Sequence, residues 1–181
     1  MQFKINKEFL KTTFFPLYKY AYKPAVRRRH FPVELELLAG RPVPHADKQS
    51  ALFFTTYKCA STFVENLLSE LSPNSGYKRA DFDSLFTHME IDTAAKYQDP
   101  VFLEQAFKQT GFIYGPLRQF QPIPELQRYR ILLILRDPRD VLVSNYYSIR
   151  YNHPINSRKL IEKRKKALNQ NVEEHVMDNL D

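Results

Sequence analysis

The 181-residue sequence has little of two features that would each point to a particular class of protein, cysteine and long apolar runs. Cys59 is the single cysteine, so an internal disulfide cannot form and a cysteine-based metal cluster lacks further ligands. No window is apolar enough to span a membrane, and the N-terminus lacks the apolar segment of a signal peptide. We therefore expect a soluble, cytoplasmic protein that holds no metal.

Basic and aromatic residues are abundant. The net charge of +7 favours polyanionic partners such as a nucleotide, a sulfated glycan, nucleic acid or a membrane surface, and a hydrophobic share of 43% excludes a disordered chain. Lysines, arginines and aromatic residues interleave over residues 1–48, where Pro16, Pro24 and Pro32 interrupt any long helix. We interpret residues 1–48 as an arm packed across the domain and residues 49–181 as one α/β domain.

A strand, a polar loop and a helix start are predicted between Ser50 and Leu71. The uncharged run Ala51-Leu52-Phe53-Phe54 is typical of a strand buried in a parallel sheet, and apolar residues from Phe63 onward recur at helical spacing. The loop between them places hydroxyl groups around one lysine: Thr55, Thr56, Lys58, Ser61 and Thr62. Since a helix start offers unpaired N–H groups and a positive dipole end, this loop predicts an oxyanion site.

A second strand-to-helix junction follows at residues 130–148. The apolar run Arg130 to Leu135 predicts a strand buried on both faces, and Asp137 with Pro138 predicts a capped helix start. Arg136 stands at the junction. Alternating strand and helix signals predict an α/β fold in three layers, with a central parallel sheet flanked by helices and ligands at the carboxyl ends of the strands.

Together the two segments resemble the cofactor-binding motifs of the sulfotransferases that use 3′-phosphoadenosine 5′-phosphosulfate (PAPS). The 5′-phosphosulfate loop of that family reads approximately T-x-P-K-S/T-G-T-T/S-W and aligns with Thr55 to Phe63, although tyrosine, alanine and phenylalanine replace its proline, glycine and tryptophan. The 3′-phosphate motif, R-D/N-P-x-D-x-x-x-S, is matched in full from Arg136 to Ser144. The resemblance implies a P-loop-like fold, PAPS as co-substrate, its product 3′-phosphoadenosine 5′-phosphate (PAP), and no metal.

The resemblance also implies a role for each motif residue. Lys58 would be catalytic, because it would stabilise negative charge on the oxygen of the leaving PAP. The 5′-phosphate end would be held by the loop residues Thr55, Lys58, Cys59, Ala60, Ser61 and Thr62. Arg136 and Ser144 would bind the 3′-phosphate, which distinguishes PAPS from ATP.

The catalytic base is left open by the sequence. Cytosolic family members carry a histidine just after the third core strand, but the segment from Tyr114 to Arg118 has none. Some carbohydrate sulfotransferases use a glutamate well downstream of the loop lysine, where His88 and Glu90 lie in this chain. The family's C-terminal loop, R-K-G-x-x-G-x-W-K, has no match because the chain lacks tryptophan and its last glycine is Gly115. The resemblance therefore covers roughly Ser50 to Ile149 and lacks the C-terminal section, so we expect weak PAP binding and slow transfer or none.

Two other functions remain as alternatives. A P-loop kinase or NTPase needs G-x-x-x-x-G-K-S/T, whereas this loop has no glycine and its lysine comes first. A non-catalytic polyanion-binding protein would use the N-terminal arm and the basic run from Arg158 to Lys166. For the sulfotransferase, the partner is a hydroxyl-bearing acceptor, with a glycan, a lipid, a small alcohol and a tyrosine as candidates, and no nucleic acid is expected.

Overall fold

The computed structural model describes residues 22–152 and 158–179, so residues 1–21 of the predicted N-terminal arm lie outside the described residues. Four strands are present: β1 Ala51–Thr55, β2 Lys78–Ala80, β3 Phe112–Leu117 and β4 Arg130–Ile134. The helices are α1 Lys23–His30, α2 Pro32–Leu38, α3 Ser61–Ser75, α4 Phe82–Met89, α5 Thr93–Lys96, α6 Pro100–Ala106, α7 Pro138–Tyr147, α8 Arg158–Leu168 and α9 Val172–Met177. A 3₁₀ turn, Leu126–Arg128, precedes β4, and a π-helical segment, Ser148–Asn152, continues α7.

The four strands form one parallel sheet in the order β2-β3-β1-β4. β1 is central and pairs with β3 on one side and with β4 on the other. This arrangement confirms the predicted α/β fold with a parallel sheet flanked by helices. Because all strands run the same way, their carboxyl ends lie at one edge of the sheet, and the loops after β1, β3 and β4 meet there.

The main core is a cluster of aromatic side chains between the sheet and helices α4 and α6. In α4, Phe82, Leu85 and Phe86 are buried because they recur at helical spacing on one face. They pack with Phe102 of α6 and with Tyr114 of β3. The core therefore fixes α4 beside the carboxyl end of β3, which matters for the site described below.

Strand β4 departs from its prediction. Its apolar residues were predicted to be buried on both faces, yet Ile131 is 50% exposed and Leu133 is 57% exposed. The reason is that β4 is the edge strand, and the helices that follow it pack on one another, with Tyr146, Ile149 and Ala167 forming a second small core. An apolar run predicts a strand correctly, but it does not reveal which neighbours cover the strand.

Helix α3 also departs from its prediction. Of the apolar face that was predicted to be shared, Phe63, Leu67 and Leu71 are exposed, whereas Val64 is half-buried. The helix also continues through Pro73 to Ser75, and Gly76 ends it in the left-handed conformation at φ 78°. The turn residues from Ser72 to Gly76 thus mark the last turn of the helix, and glycine supplies its terminator.

Gly115 in β3 provides a test of how closely β3 packs on β1. Its φ is +121°, and a Cβ there would lie 2.6 Å from the carbonyl oxygen of Phe53. We expect Gly115→Ala to lower the free energy of unfolding by about 3 kcal/mol, because a backbone clash adds to the strain of positive φ. Urea unfolding measures the change.

Gly40→Ala is the matched control for Gly115→Ala. Gly40 also has positive φ, at +66°, but a Cβ there would meet nothing within 4 Å. We expect Gly40→Ala to lower the free energy of unfolding by about 1 kcal/mol, from backbone strain alone. Equal losses of unfolding free energy for the two variants would show that the close contact with Phe53 does not contribute to the destabilisation.

Candidate functional site

A cavity of about 510 Å³ lies where the loop after β1 meets the segments that follow β3 and β4. Its lining residues come from both predicted motifs and from the end of β3: Tyr57, Lys58, Ala60, Ser61, Thr62, Arg118, Arg136 and Ser144. Lys58 and Arg136 are 78 residues apart in sequence, yet the guanidinium Nη1 of Arg136 donates a hydrogen bond to the Lys58 carbonyl at 3.4 Å. The structure therefore brings the two motifs together in one cavity, which we call the nucleotide cavity.

The loop between β1 and α3 adopts an unusual backbone. Lys58 and Ala60 both have positive φ, at 64° and 57°, a conformation that costs an L-residue roughly 1–2 kcal/mol. Ala60 stands where the resembling motif has glycine, which would adopt this conformation without strain. Ala60 is also the N-cap of α3 and supplies no side-chain acceptor, so the first N–H groups of α3 remain for an oxyanion.

The ammonium group of Lys58 is partly buried beside the second motif. Its Nζ donates a hydrogen bond to Ser148 Oγ at 2.5 Å. Burial lowers the pKa of Lys58 below its usual range, because the charged form loses water. A cation with fewer water molecules around it interacts more strongly with a bound anion.

The second motif folds as its sequence predicts. Asp137 caps α7 by accepting a hydrogen bond from the Arg139 N–H at 2.9 Å, and the Arg139 guanidinium lowers the pKa of Asp137 to about 2. Arg136 instead faces Asp140, with Nε and Oδ2 3.5 Å apart, and its side chain lines the cavity. Ser144 lies two turns along α7 and lines the same cavity.

Two of the predicted binding residues, Thr55 and Cys59, are buried and do not line the cavity. Thr55 is buried, and its hydroxyl donates to the Thr56 carbonyl at 3.3 Å. Cys59 is also buried, and its sulfur lies 2.9 Å from the Thr56 hydroxyl oxygen. Neither residue lines the nucleotide cavity. Their contacts hold the loop in shape, so any role in binding is through the backbone of the loop.

Arg118 is a cavity residue that the sequence-based reasoning did not assign. It follows β3, and its Nη1 donates a hydrogen bond to Ser61 Oγ at 3.0 Å. Its guanidinium carbon lies 5.1 Å from the centre of the Tyr57 ring, a cation–π distance. The signal was present in the sequence, because a basic residue directly after a parallel strand lies at the edge where ligands bind.

A second cavity, of about 610 Å³, adjoins the first. Most of its lining residues are polar or charged: Phe31, Tyr57, Asp83, Ser84, Thr87, His88, Asp92, Thr93, Ala94, Arg118, Gln119 and Gln121. Tyr57 and Arg118 line both cavities. We call this second space the acceptor cavity, since a molecule within it would meet a ligand of the nucleotide cavity at these two residues.

The two predicted candidates for the base lie in different surroundings. His88 lines the acceptor cavity, and its Nε2 is buried without a hydrogen-bond partner among the described residues. Glu90 lies at the end of α4, lines neither cavity and pairs with Lys23 Nζ at 2.6 Å, with its side chain 77% exposed. The structure thus brings His88 to the acceptor cavity and leaves Glu90 outside it.

Asp83 is a second ionisable group at the acceptor cavity. It accepts hydrogen bonds from the Tyr97 hydroxyl at 3.0 Å and from the Arg118 backbone N–H at 3.3 Å. Burial raises the pKa of Asp83 above its usual range, because the charged form loses water. Its contact with Arg118 ties α4 to the end of β3.

Comparison with known proteins matched a protein family. A protein-family model described as "Sulfotransferase domain" matches residues 48–179, which is well over half of the chain and includes both motifs. The comparisons with curated proteins and with solved structures gave no match. None of the helices in the described ranges is both long and apolar enough to cross a membrane.

Proposed function

Since the chain belongs to the sulfotransferase family, we propose that it transfers a sulfuryl group from PAPS to a hydroxyl group of an acceptor, with a glycan as the favoured acceptor class. The observation that carries the proposal is the shared lining of the nucleotide cavity by Lys58, Ser61, Arg136 and Ser144. These residues come from the two motifs that resemble the 5′ and 3′ ends of a PAPS site.

The proposed nucleotide pose places one phosphate at each motif. The 5′-phosphosulfate would lie at the start of α3, where backbone N–H groups and the hydroxyls of Ser61 and Thr62 can donate hydrogen bonds. The 3′-phosphate would lie between Arg136 and Ser144, because a guanidinium fork binds phosphate oxygens in pairs. Thr55, Cys59 and Ala60 would contribute through the loop backbone.

The proposed chemistry uses Lys58 at the oxygen that leaves with PAP. Negative charge grows on this bridging oxygen as its bond to sulfur breaks, and a preorganised cation stabilises it. Lys58 already lies beside the second motif through its bond to Ser148, so its ammonium is held within the site. No metal is required for this step.

The acceptor would occupy the second cavity, with His88 as the proposed base. Its Nε2 has no partner among the residues that the structure describes, and this buried nitrogen would accept a proton from a hydroxyl group once the ring turns towards the cavity. Glu90 is the alternative base, and it would first have to leave Lys23. The mixture of hydrogen-bonding side chains with the rings of Phe31 and Tyr57 suits a polyhydroxylated acceptor such as a glycan.

The first test of the proposal is nucleotide preference. We expect the protein to bind PAP more tightly than AMP or ATP, and Arg136→Ala to remove about tenfold or more of that preference, because a charged hydrogen bond to the 3′-phosphate is lost. Isothermal titration calorimetry measures the affinities. Arg128→Ala, a change at an exposed arginine outside both cavities, is the control.

The outcomes of this titration separate the three candidate functions. Equal affinity of the unmodified protein for PAP and AMP would contradict a PAPS site. A preference for ATP would favour the P-loop kinase or NTPase. Binding of none of the three nucleotides would favour the non-catalytic polyanion-binding protein.

A further inference from the structure

We infer that Arg118 is a further catalytic residue whose guanidinium contacts the sulfuryl group at the junction of the nucleotide and acceptor cavities. The inference rests on the proposed function, which supplies the two substrates, and it adds the position of the reacting sulfur. It also adds Arg118 itself, which neither motif contains.

The position of Arg118 follows from the two cavities. A group that passes from donor to acceptor must touch both, so it must lie where the two spaces meet. Two residues line both cavities, Tyr57 and Arg118. Only Arg118 carries a charge, and the transferring group is anionic.

Contacts from three elements fix Arg118 at this junction. Its Nη1 donates to Ser61 at the start of α3, and its guanidinium stacks on Tyr57 in the loop after β1. Its backbone N–H donates to Asp83 on α4. The preceding residue, Leu117, is buried at the end of β3. A cation held in this way needs little reorganisation during a reaction, which is the condition for electrostatic catalysis.

The charge of Arg118 is not neutralised by an ion pair. Among the described residues no carboxylate pairs with it, whereas Arg136 shares Asp140. The guanidinium group itself contacts the neutral hydroxyl of Ser61 and the ring of Tyr57. The carboxyl groups of Asp83 and Glu65 lie near enough to interact with its charge but form no salt bridge with it, so its remaining N–H donors stay available for an anion at the junction.

The transfer step then assigns a task to each group. The bond between sulfur and the 5′-phosphate oxygen breaks, and its electron pair leaves with PAP at Lys58. A bond forms between sulfur and the acceptor oxygen, and the acceptor proton passes to the base. The three remaining oxygens of the sulfuryl group share one negative charge both in PAPS and in the sulfated product. The planar fork of Arg118 can donate to two of these oxygens at once, which both orients and stabilises the group.

An acceptor-free binding experiment tests the contact with the sulfuryl group. We expect the unmodified protein to bind PAPS about tenfold more tightly than PAP, and Arg118→Gln to abolish this difference while retaining the preference for PAP over AMP. Glutamine keeps a donor for Ser61 but lacks the charge. Arg128→Ala is the control for loss of a positive charge elsewhere.

A kinetic experiment tests the catalytic role. We expect Arg118→Gln to lower kcat for transfer by about a hundredfold and to raise the KM for PAPS by about tenfold, in line with its lost PAPS affinity, and Arg118→Lys to restore part of both losses. A purely structural role would instead lower the melting temperature and affect the lysine variant as much as the glutamine variant.

The outcomes distinguish this inference from the proposed function. Equal binding of PAP and AMP by the unmodified protein would count against the PAPS site itself. A protein that prefers PAP to AMP but binds PAPS and PAP equally would overturn the role of Arg118 alone. The role of Arg118 would also be overturned if Arg118→Gln kept both the preference for PAPS over PAP and the kcat of the unmodified protein.

Discussion

Replacing Lys58 with alanine should lower the turnover of PAPS by about a thousandfold. The loss is expected to be this large because Lys58 is the cation proposed at the leaving oxygen, and water screens its partly buried ammonium less than it screens an exposed one. Ground-state binding of PAP should fall far less, since Arg136 and the start of α3 would still hold the two phosphates. Single-turnover transfer to a panel of glycans and small alcohols measures the effect.

Two companion variants make the Lys58 result specific. Lys58→Arg keeps the charge but changes its geometry, so it should retain more turnover than Lys58→Ala. Lys78→Ala removes an exposed lysine at the start of β2, outside both cavities, and should leave turnover unchanged. Turnover by Lys58→Ala within threefold of that of the Lys78→Ala control would remove Lys58 from the reaction.

The strained loop gives a physical reason for the position of Lys58. Positive φ at Lys58 and at Ala60 turns the chain sharply between β1 and α3, so that the lysine backbone meets Arg136 and its side chain meets Ser148. Strain of this kind persists only where surrounding contacts hold it. Here the buried Cys59 and its contact with Thr56 provide part of that support.

Local chemistry was sufficient to predict much of the fold. The strands β1 and β4 and the cap of α7 by Asp137 follow from short-range patterns, and all three are confirmed. Strand β2 was not predicted, because Lys78–Ala80 is too short and too polar to show a period. The exposure of β4 could not be predicted either, since burial of a strand depends on which distant elements cover it.

The candidate site was also predictable only where local sequence patterns determine its geometry. The strand-end rule predicted correctly that Lys58 and Arg136 would meet, because parallel strands bring their carboxyl ends to one edge. It did not predict that Glu90 would pair with Lys23, which depends on how the fold places the start of α1 beside the end of α4. The same rule places Arg118 at this edge, because Arg118 directly follows β3, but its contacts with Ser61 and Tyr57 on a different loop could not be predicted. Contacts between loops are set by tertiary packing, and no local pattern encodes them.

Replacing His88 with alanine should lower the turnover of PAPS by about a hundredfold, whereas Glu90→Gln should have little effect. His88 lines the acceptor cavity with an unpartnered, buried Nε2 in the described structure, while Glu90 lies outside that cavity in an ion pair with Lys23. Loss of a base slows proton removal from the acceptor and should leave PAP affinity intact, so calorimetry with PAP serves as the control for folding.

A large loss of turnover for Glu90→Gln with full activity of His88→Ala would reverse the assignment. Full activity of both variants would move the base elsewhere, and Asp83 would then be the next residue to replace, because it lies in the same cavity and directly contacts the backbone of Arg118.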